Sequence, residues 1–157
     1  MTAQPPDKSG VRFPPPLIYL GLFLAGYAIQ WLVPFSIFPE AGWLDWVGGL
    51  LFGGGVGLAL VAAGTFRSAG TSVNPTKPAT ALVTHGPFAF SRNPMYLAMV
   101  MIYLGLIVVV NSLWPLLLLP VAVWLIRTRV IALEEAYLQR KFGQLYSDYQ
   151  KQVRRWL

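Results

Sequence analysis

The stretch His85-Gly-Pro-Phe-Ala-Phe-Ser-Arg-Asn-Pro-Met-Tyr96 gathers the only histidine of the chain, an arginine and a helix-start signal. Asn93 reads as a helix cap and Pro94 as the first helical residue, where its missing N–H costs nothing. Further on, Glu134 and Glu135 stand side by side in a chain with only six acids. There is no cysteine, so there is no thiolate nucleophile, disulfide or cysteine metal site. One histidine and two adjacent acids do not make a metal cluster or a Ser/His/Asp set, and no glycine-rich phosphate loop is present. What remains is the chemistry of a binding cradle for a small charged ligand.

The elements that must position this cradle are apolar. The 157 residues are 55% hydrophobic and 11% charged, against about 25% charged in an ordinary soluble domain. This is the composition of an integral membrane protein in one domain. Four apolar segments are visible: Leu17 to Val33, Trp46 to Gly64, Met95 to Val110, and Leu113 to Ile126, the last able to continue as helix through Leu133. The first two reach the lower limit of about 17 residues for a spanning helix. The third and fourth are shorter and separated only by Asn111-Ser112. They predict a tight helical hairpin that either crosses a thinned bilayer or packs inside the bundle.

Charge placement gives an orientation. Lys8 and Arg12 precede the first segment, Arg67, Lys77 and Arg92 lie between the second and third, and the remaining Lys and Arg follow the fourth. The link between the first and second segments carries Glu40 and Asp45 and no base. All twelve bases therefore fall on one side, which the positive-inside rule places in the cytoplasm together with both termini. The net charge of +6 is accounted for by this topology and by anionic lipid headgroups, without nucleic acid.

Three further expectations follow. Residues 1–16, polar and proline-rich without a cleavage-site pattern, read as a disordered or surface-lying lead-in rather than a signal peptide. Gly49, Gly53 and Gly57 form a smooth stripe suited to packing within the molecule. From Glu134 to Leu157, Tyr137, Leu138, Phe142, Leu145, Tyr146, Tyr149, Val153 and Trp156 recur at helical spacing, broken near Gly143. The division is thus a lead-in (1–16), a membrane helical domain (17–133) and an amphipathic tail (134–157) that roofs a cytoplasmic site and touches the membrane interface. The expected fold is an all-α integral membrane protein with four membrane-embedded helices, the third and fourth a hairpin, plus amphipathic C-terminal helices.

Gly70-Thr-Ser-Val-Asn-Pro75, Leu82-Val-Thr-His-Gly-Pro-Phe88, Arg92-Asn-Pro-Met-Tyr96, and Glu134-Glu135 followed by Phe142-Gly143 and Tyr146 resemble the isoprenylcysteine carboxyl methyltransferases, which share a superfamily with the phospholipid N-methyltransferases. The resemblance covers roughly residues 65 to 156. It implies a membrane enzyme that transfers a methyl group from S-adenosylmethionine (AdoMet), leaving S-adenosylhomocysteine (AdoHcy). It further implies that cofactor contacts come from Thr80, Ala81, Leu82 and Val83, from His85, Gly86 and Phe88, from Arg92, Asn93, Pro94 and Tyr96, and from Glu134 and Tyr146. The position of a family arginine that contacts the lipid-linked substrate is Val130 here, with Arg129 beside it and Arg127 one turn nearer the membrane. Arg127 and Arg129 are the substrate-binding candidates.

The chemistry suits that ligand. A helix start offers free N–H groups to a carboxylate, Arg92 a fork of donors, Glu134 a partner for an ammonium or for ribose hydroxyls, and Phe88, Tyr96 and Tyr146 faces for a sulfonium or an adenine. No metal is needed. Methyl transfer is an in-line displacement, so positioning and desolvation carry most of the catalysis. An amine or thiol acceptor would first lose a proton, for which His85 and Glu135 are the candidates. The acceptor is expected to be a small lipophilic or amphipathic molecule reaching the site from the bilayer. Two other classes stay open: an NADPH-dependent membrane reductase of the isoprenoid or sterol type, and a non-enzymatic membrane subunit.

Overall fold

The computed structural model describes residues 7–157, and these are helical without strands. Residues 1–6 of the expected lead-in lie outside the described part. Helix α1 spans Pro15–Leu32, α2 Trp43–Ser68, α3 Pro94–Val110 and α4 Leu113–Ile126. A π-helical turn, Arg127–Ile131, joins α4 without a break to α5, Ala132–Phe142, and α6 follows as Gln144–Gln152. Gly143 separates the last two with φ +53° and ψ −121°, a backbone conformation that favours glycine.

Three helical stretches are long and apolar enough to cross a membrane: α1, α2 and the continuous rod Leu113–Phe142. The rod outruns the expected end at Leu133 by residues 134–142 of α5. Helix α3 is apolar but shorter, at 17 residues. Leu20, Leu50, Leu60, Trp46 and Trp124 stand more than half exposed on the outer faces. A water-soluble protein rarely exposes such an apolar girdle, and lipid is its natural solvent. The protein is multi-pass and integral to the membrane.

Pairing within the bundle differs from a simple hairpin. Helix α3 packs chiefly along α2, and α4 along α1, with lighter contact between α3 and α4. Small residues make the α2–α3 approach possible. A methyl on Gly105 would sit 2.6 Å from the Phe52 nitrogen and 2.7 Å from the Gly48 oxygen, and one on Gly55 2.8 Å from the Ala98 oxygen. The expected stripe of Gly49, Gly53 and Gly57 is not the packing face, since added methyls there meet nothing within 4 Å. Helical spacing alone found a glycine face but chose the wrong one, because Gly48 and Gly55 lie one position before and two positions after members of the stripe. Tyr19, Phe23, Tyr103, Ile107, Ala122 and Ile126 fill the centre, where the Tyr103 hydroxyl donates to the Pro115 carbonyl at 3.0 Å.

The two ends of the bundle differ in kind. At one end Asn111, left-handed at φ +46°, receives the N–H groups of Ile37 and Phe38 on its Oδ1 and donates Nδ2 to the Phe38 carbonyl. This holds the α1–α2 link against the α3–α4 turn, with Ser112 Oγ donating to Gln30 Oε1 at 2.9 Å. The loop 69–93, the tail and the N-terminal segment gather at the other end.

Gly105→Ala should lower the thermal midpoint in detergent by an amount corresponding to about 1–3 kcal/mol, the range for forced overpacking. Gly53→Ala should be neutral or stabilising, since it fills open space and favours helix. Equal midpoints for the two variants would refute the packing assignment.

Candidate functional site

At the polar end a cavity of about 520 Å³ opens between the 71–83 loop, the start of α3, α5 and α6. That is the size range of small-molecule and cofactor pockets. Ala81, Leu82, Val83 and Phe88 form one wall, Arg92, Asn93, Pro94 and Tyr96 a second, and Glu134, Glu135 and Tyr146 a third. These residues of the lining are among those singled out in the sequence. Thr80, His85 and Gly86 are not part of it. Thr80 is exposed, and its hydroxyl donates to the Gly70 carbonyl at 2.7 Å. His85 and Gly86 are exposed at the outer start of the short 3₁₀ turn Gly86–Ala89, which points Phe88 inward instead. Phe88 packs edge-on against Phe66 of α2 with ring centres 4.7 Å apart.

Arg127 and Arg129 also stay outside. Both are exposed on the π-helical turn, while Val130 between them and α5 is buried in the bundle core. Adding one residue to a helical turn shifts which side chains face inward. The two arginines point away from the cavity for that reason, and no ion pair joins them to Glu134 or Glu135.

Glu134 accepts a hydrogen bond from the Tyr96 hydroxyl at 2.7 Å and has no cation partner among the described residues. Glu135 differs. Arg155 donates Nε to its Oε1 at 3.0 Å and Nη2 to its Oε2, while Arg92 Nη2 sits 3.3 Å from Oε1. With both oxygens engaged by guanidinium groups, Glu135 does not serve as a free proton acceptor, and His85 lies outside the cavity. The paired carboxylate in turn raises the pKa of Arg155 through its hydrogen bond.

Arg92 has a side chain only 11% exposed, and its buried Nε and Nη1 lack any hydrogen-bond partner. Asn93 occupies the cap position of α3 without capping it. Its Nδ2 donates to the Arg155 carbonyl at 2.9 Å, and its own N–H goes to Ser91 Oγ at 3.1 Å. The Arg92 N–H donates to the Arg154 carbonyl at 3.0 Å. The end of the chain thus folds back onto the start of α3, a long-range contact that no local spacing announces.

The tail roofs the cavity. Tyr146, Tyr149 and Val153 turn inward against Leu82, Leu138 and Phe142, and the Tyr149 hydroxyl donates to the Phe88 carbonyl at 2.6 Å. Burial pushes the Tyr146 phenol up to about 12. Only Leu145 of this set is strongly exposed.

The N-terminal segment from residue 7 onward, expected to be a disordered or surface-lying lead-in, lies against the molecule and is part of the enclosure. Val11 is buried in the main core, and Ser9 Oγ donates to the Pro75 carbonyl. Asp7 accepts from the Tyr137 hydroxyl at 2.8 Å and from Lys141 Nζ at 2.7 Å, and Tyr137 in turn accepts the Ala79 N–H. Arg12 and Lys77 line the cavity as well. The polar composition of residues 7–16 concealed this, because the segment is held by hydrogen bonds and one buried valine rather than by an apolar run.

A bundle with lipid-facing helices and a largely apolar cavity bearing a few charged side chains at one end is the architecture of an integral membrane protein. The chain belongs to the phospholipid methyltransferase family, whose pattern matches residues 43–145, from the start of α2 to the start of α6. It is also 35% identical over 72 residues to the Protein-S-isoprenylcysteine O-methyltransferase of Schizosaccharomyces pombe, an alignment covering 46% of this chain and 30% of that protein. No solved structure matches the chain.

Tyr149→Phe should destabilise the fold by about 1–3 kcal/mol, because the buried Phe88 carbonyl loses its donor. Thermal unfolding in detergent measures this, and an unchanged midpoint would show that the bond contributes nothing.

Proposed function

We propose that the protein is an AdoMet-dependent methyltransferase of the membrane, acting on a small lipophilic or amphipathic acceptor. The observation that carries the reading is Arg92, with two orphaned buried nitrogens, on one cavity with Glu134, a carboxyl held by Tyr96 and without a cation partner among the described residues. A buried donor without a partner is costly, and a ligand that supplies the partner recovers the cost. AdoMet carries a carboxylate for Arg92 and an ammonium for Glu134, and Phe88, Tyr96 and Tyr146 supply aromatic surface for its nucleoside or sulfonium. Membership of a methyltransferase family supports the same choice.

When bound, the cofactor supplies an electrophilic methyl group on a sulfonium. The residues of this chain bind, orient and exclude water. Tyr96 holds the Glu134 carboxylate in place, Glu135 anchors Arg92, and the tail from residue 134 onward closes the roof. In this reading Glu135 is engaged by two guanidinium groups and His85 lies outside the cavity, so neither takes a proton from the acceptor.

The acceptor would reach the site from the bilayer along Pro15, Pro16 and Met99, where the cavity meets the start of α1 and the second turn of α3. In this reading α3 is embedded beside the three longer helices, and the basic polar end, with both termini, faces the cytoplasm.

Calorimetric titration of the purified protein with AdoHcy should show binding, and Glu134→Gln should weaken it by about tenfold or more, as expected when a charge-assisted contact is lost. Absence of binding by the parent protein would sink the proposal.

A further inference from the structure

Arg155 does not line the cavity, yet it holds the one acid that holds Arg92. We propose that Arg155 is a positioning residue that keeps Arg92 aimed at the carboxylate of the cofactor. The inference rests on the AdoMet reading above.

Charge arithmetic motivates it. Arg92, Glu135 and Arg155 form a cluster of two cations and one anion. Glu135 gives Arg155 the better geometry, a fork using both oxygens, and gives Arg92 a single longer contact at 3.3 Å. A fork of two parallel donors is the stronger arrangement. Glu135 is thereby held mainly by Arg155 and only partly neutralises Arg92. The Arg92 contact uses Nη2, which leaves the buried Nε and Nη1 free. Without Arg155, Glu135 would turn to Arg92, pair with it fully, and occupy the donors that an incoming carboxylate needs.

The backbone fixes both ends of the relay. The Arg154 carbonyl takes the Arg92 N–H, and the Arg155 carbonyl takes Asn93 Nδ2 and, at 3.4 Å, Ser91 Oγ. Arg155 and Arg92 are therefore set relative to one another by main-chain contacts that a change of side chain at residue 155 leaves in place. Trp156, packed against the main core, and buried Val153 anchor the segment on either side.

The test compares two ligands by calorimetry: AdoHcy, and its decarboxylated analogue, which keeps the amine and the nucleoside. Arg155→Met should weaken AdoHcy by about ten- to a hundredfold, the range for a hydrogen bond to a charged group, and leave the analogue within about twofold. Arg155→Lys, which keeps the charge but not the fork, should recover only part of the loss. Because Arg155 acts through Arg92, the Arg92→Met/Arg155→Met double variant should bind AdoHcy no more weakly than Arg92→Met alone. Equal weakening of both ligands by Arg155→Met, or additive losses in the double variant, would overturn the proposal in favour of a purely structural tether. Unchanged AdoHcy binding in Arg155→Met would overturn it outright. Should Arg155→Met not fold, the ratio of the two affinities in Arg155→Lys decides, since a structural tether predicts a parallel loss. If the parent protein binds neither ligand, it is the AdoMet reading that fails.

Discussion

Ionised groups at the rim of an apolar bundle must find one another, because transfer of an unpaired charge out of water costs several kcal/mol. Glu135 is where this chain meets that constraint. It receives guanidinium groups from the start of α3 and from the last residues of the tail, segments far apart in sequence. Loop 69–93, α5 and the tail converge on it, and the cavity is the space their convergence leaves. Remove the carboxylate and two arginines would be left facing each other across a largely dehydrated gap, so the pairing that satisfies the charges also defines the pocket.

The helices beneath are arranged so that this convergence happens at one end only. Glycines 48, 55 and 105 let α2 and α3 approach to backbone contact, which fixes the height at which Pro94 and Tyr96 emerge. The rod from Leu113 to Phe142 carries Glu134 and Glu135 past the end of α1, and its π-helical turn sets which residues beyond it face inward. Asn111 ties the opposite end with three hydrogen bonds and contributes no charge. Polar groups whose partners are backbone stabilise one end, and polar groups whose partners are incomplete occupy the other.

Much of this was legible in the sequence where the signal is local. Apolar runs gave the helices, Pro94 the start of α3, Gly143 the break in the tail, and the pattern from Leu82 to Tyr96 one part of the cavity wall. What escaped depends on the chain meeting itself. Asn93 has the right residue type for a cap, but the Arg155 carbonyl competes for its side chain and wins. Arg127 and Arg129 sit at plausible spacing, but a π-helical turn rotates them outward. Residues 7–16 have the composition of a loose lead-in, yet a few long-range hydrogen bonds and Val11 seat them on the cavity. Each miss is a case where a partner more than sixty residues away, or one added residue in a turn, overrode a local preference.

The two unsatisfied nitrogens of Arg92 are informative because their neighbours are so fully satisfied. Tyr149, Asn93, Ser91 and Tyr137 all have partners, and Glu135 has two. A chain that can supply a donor for the Phe88 carbonyl from residue 149 could have supplied an acceptor for Arg92. Instead Glu135 is drawn toward Arg155, and two nitrogens of Arg92 stay open. Folding stability alone would favour closing that gap, since a buried unpaired donor costs about 1–3 kcal/mol. Strain of this kind is commonly kept where a ligand relieves it. In the reading proposed above, Glu134 on the same cavity would meet the cation of a ligand whose carboxylate reaches Arg92, as the amino-acid end of a nucleoside cofactor would.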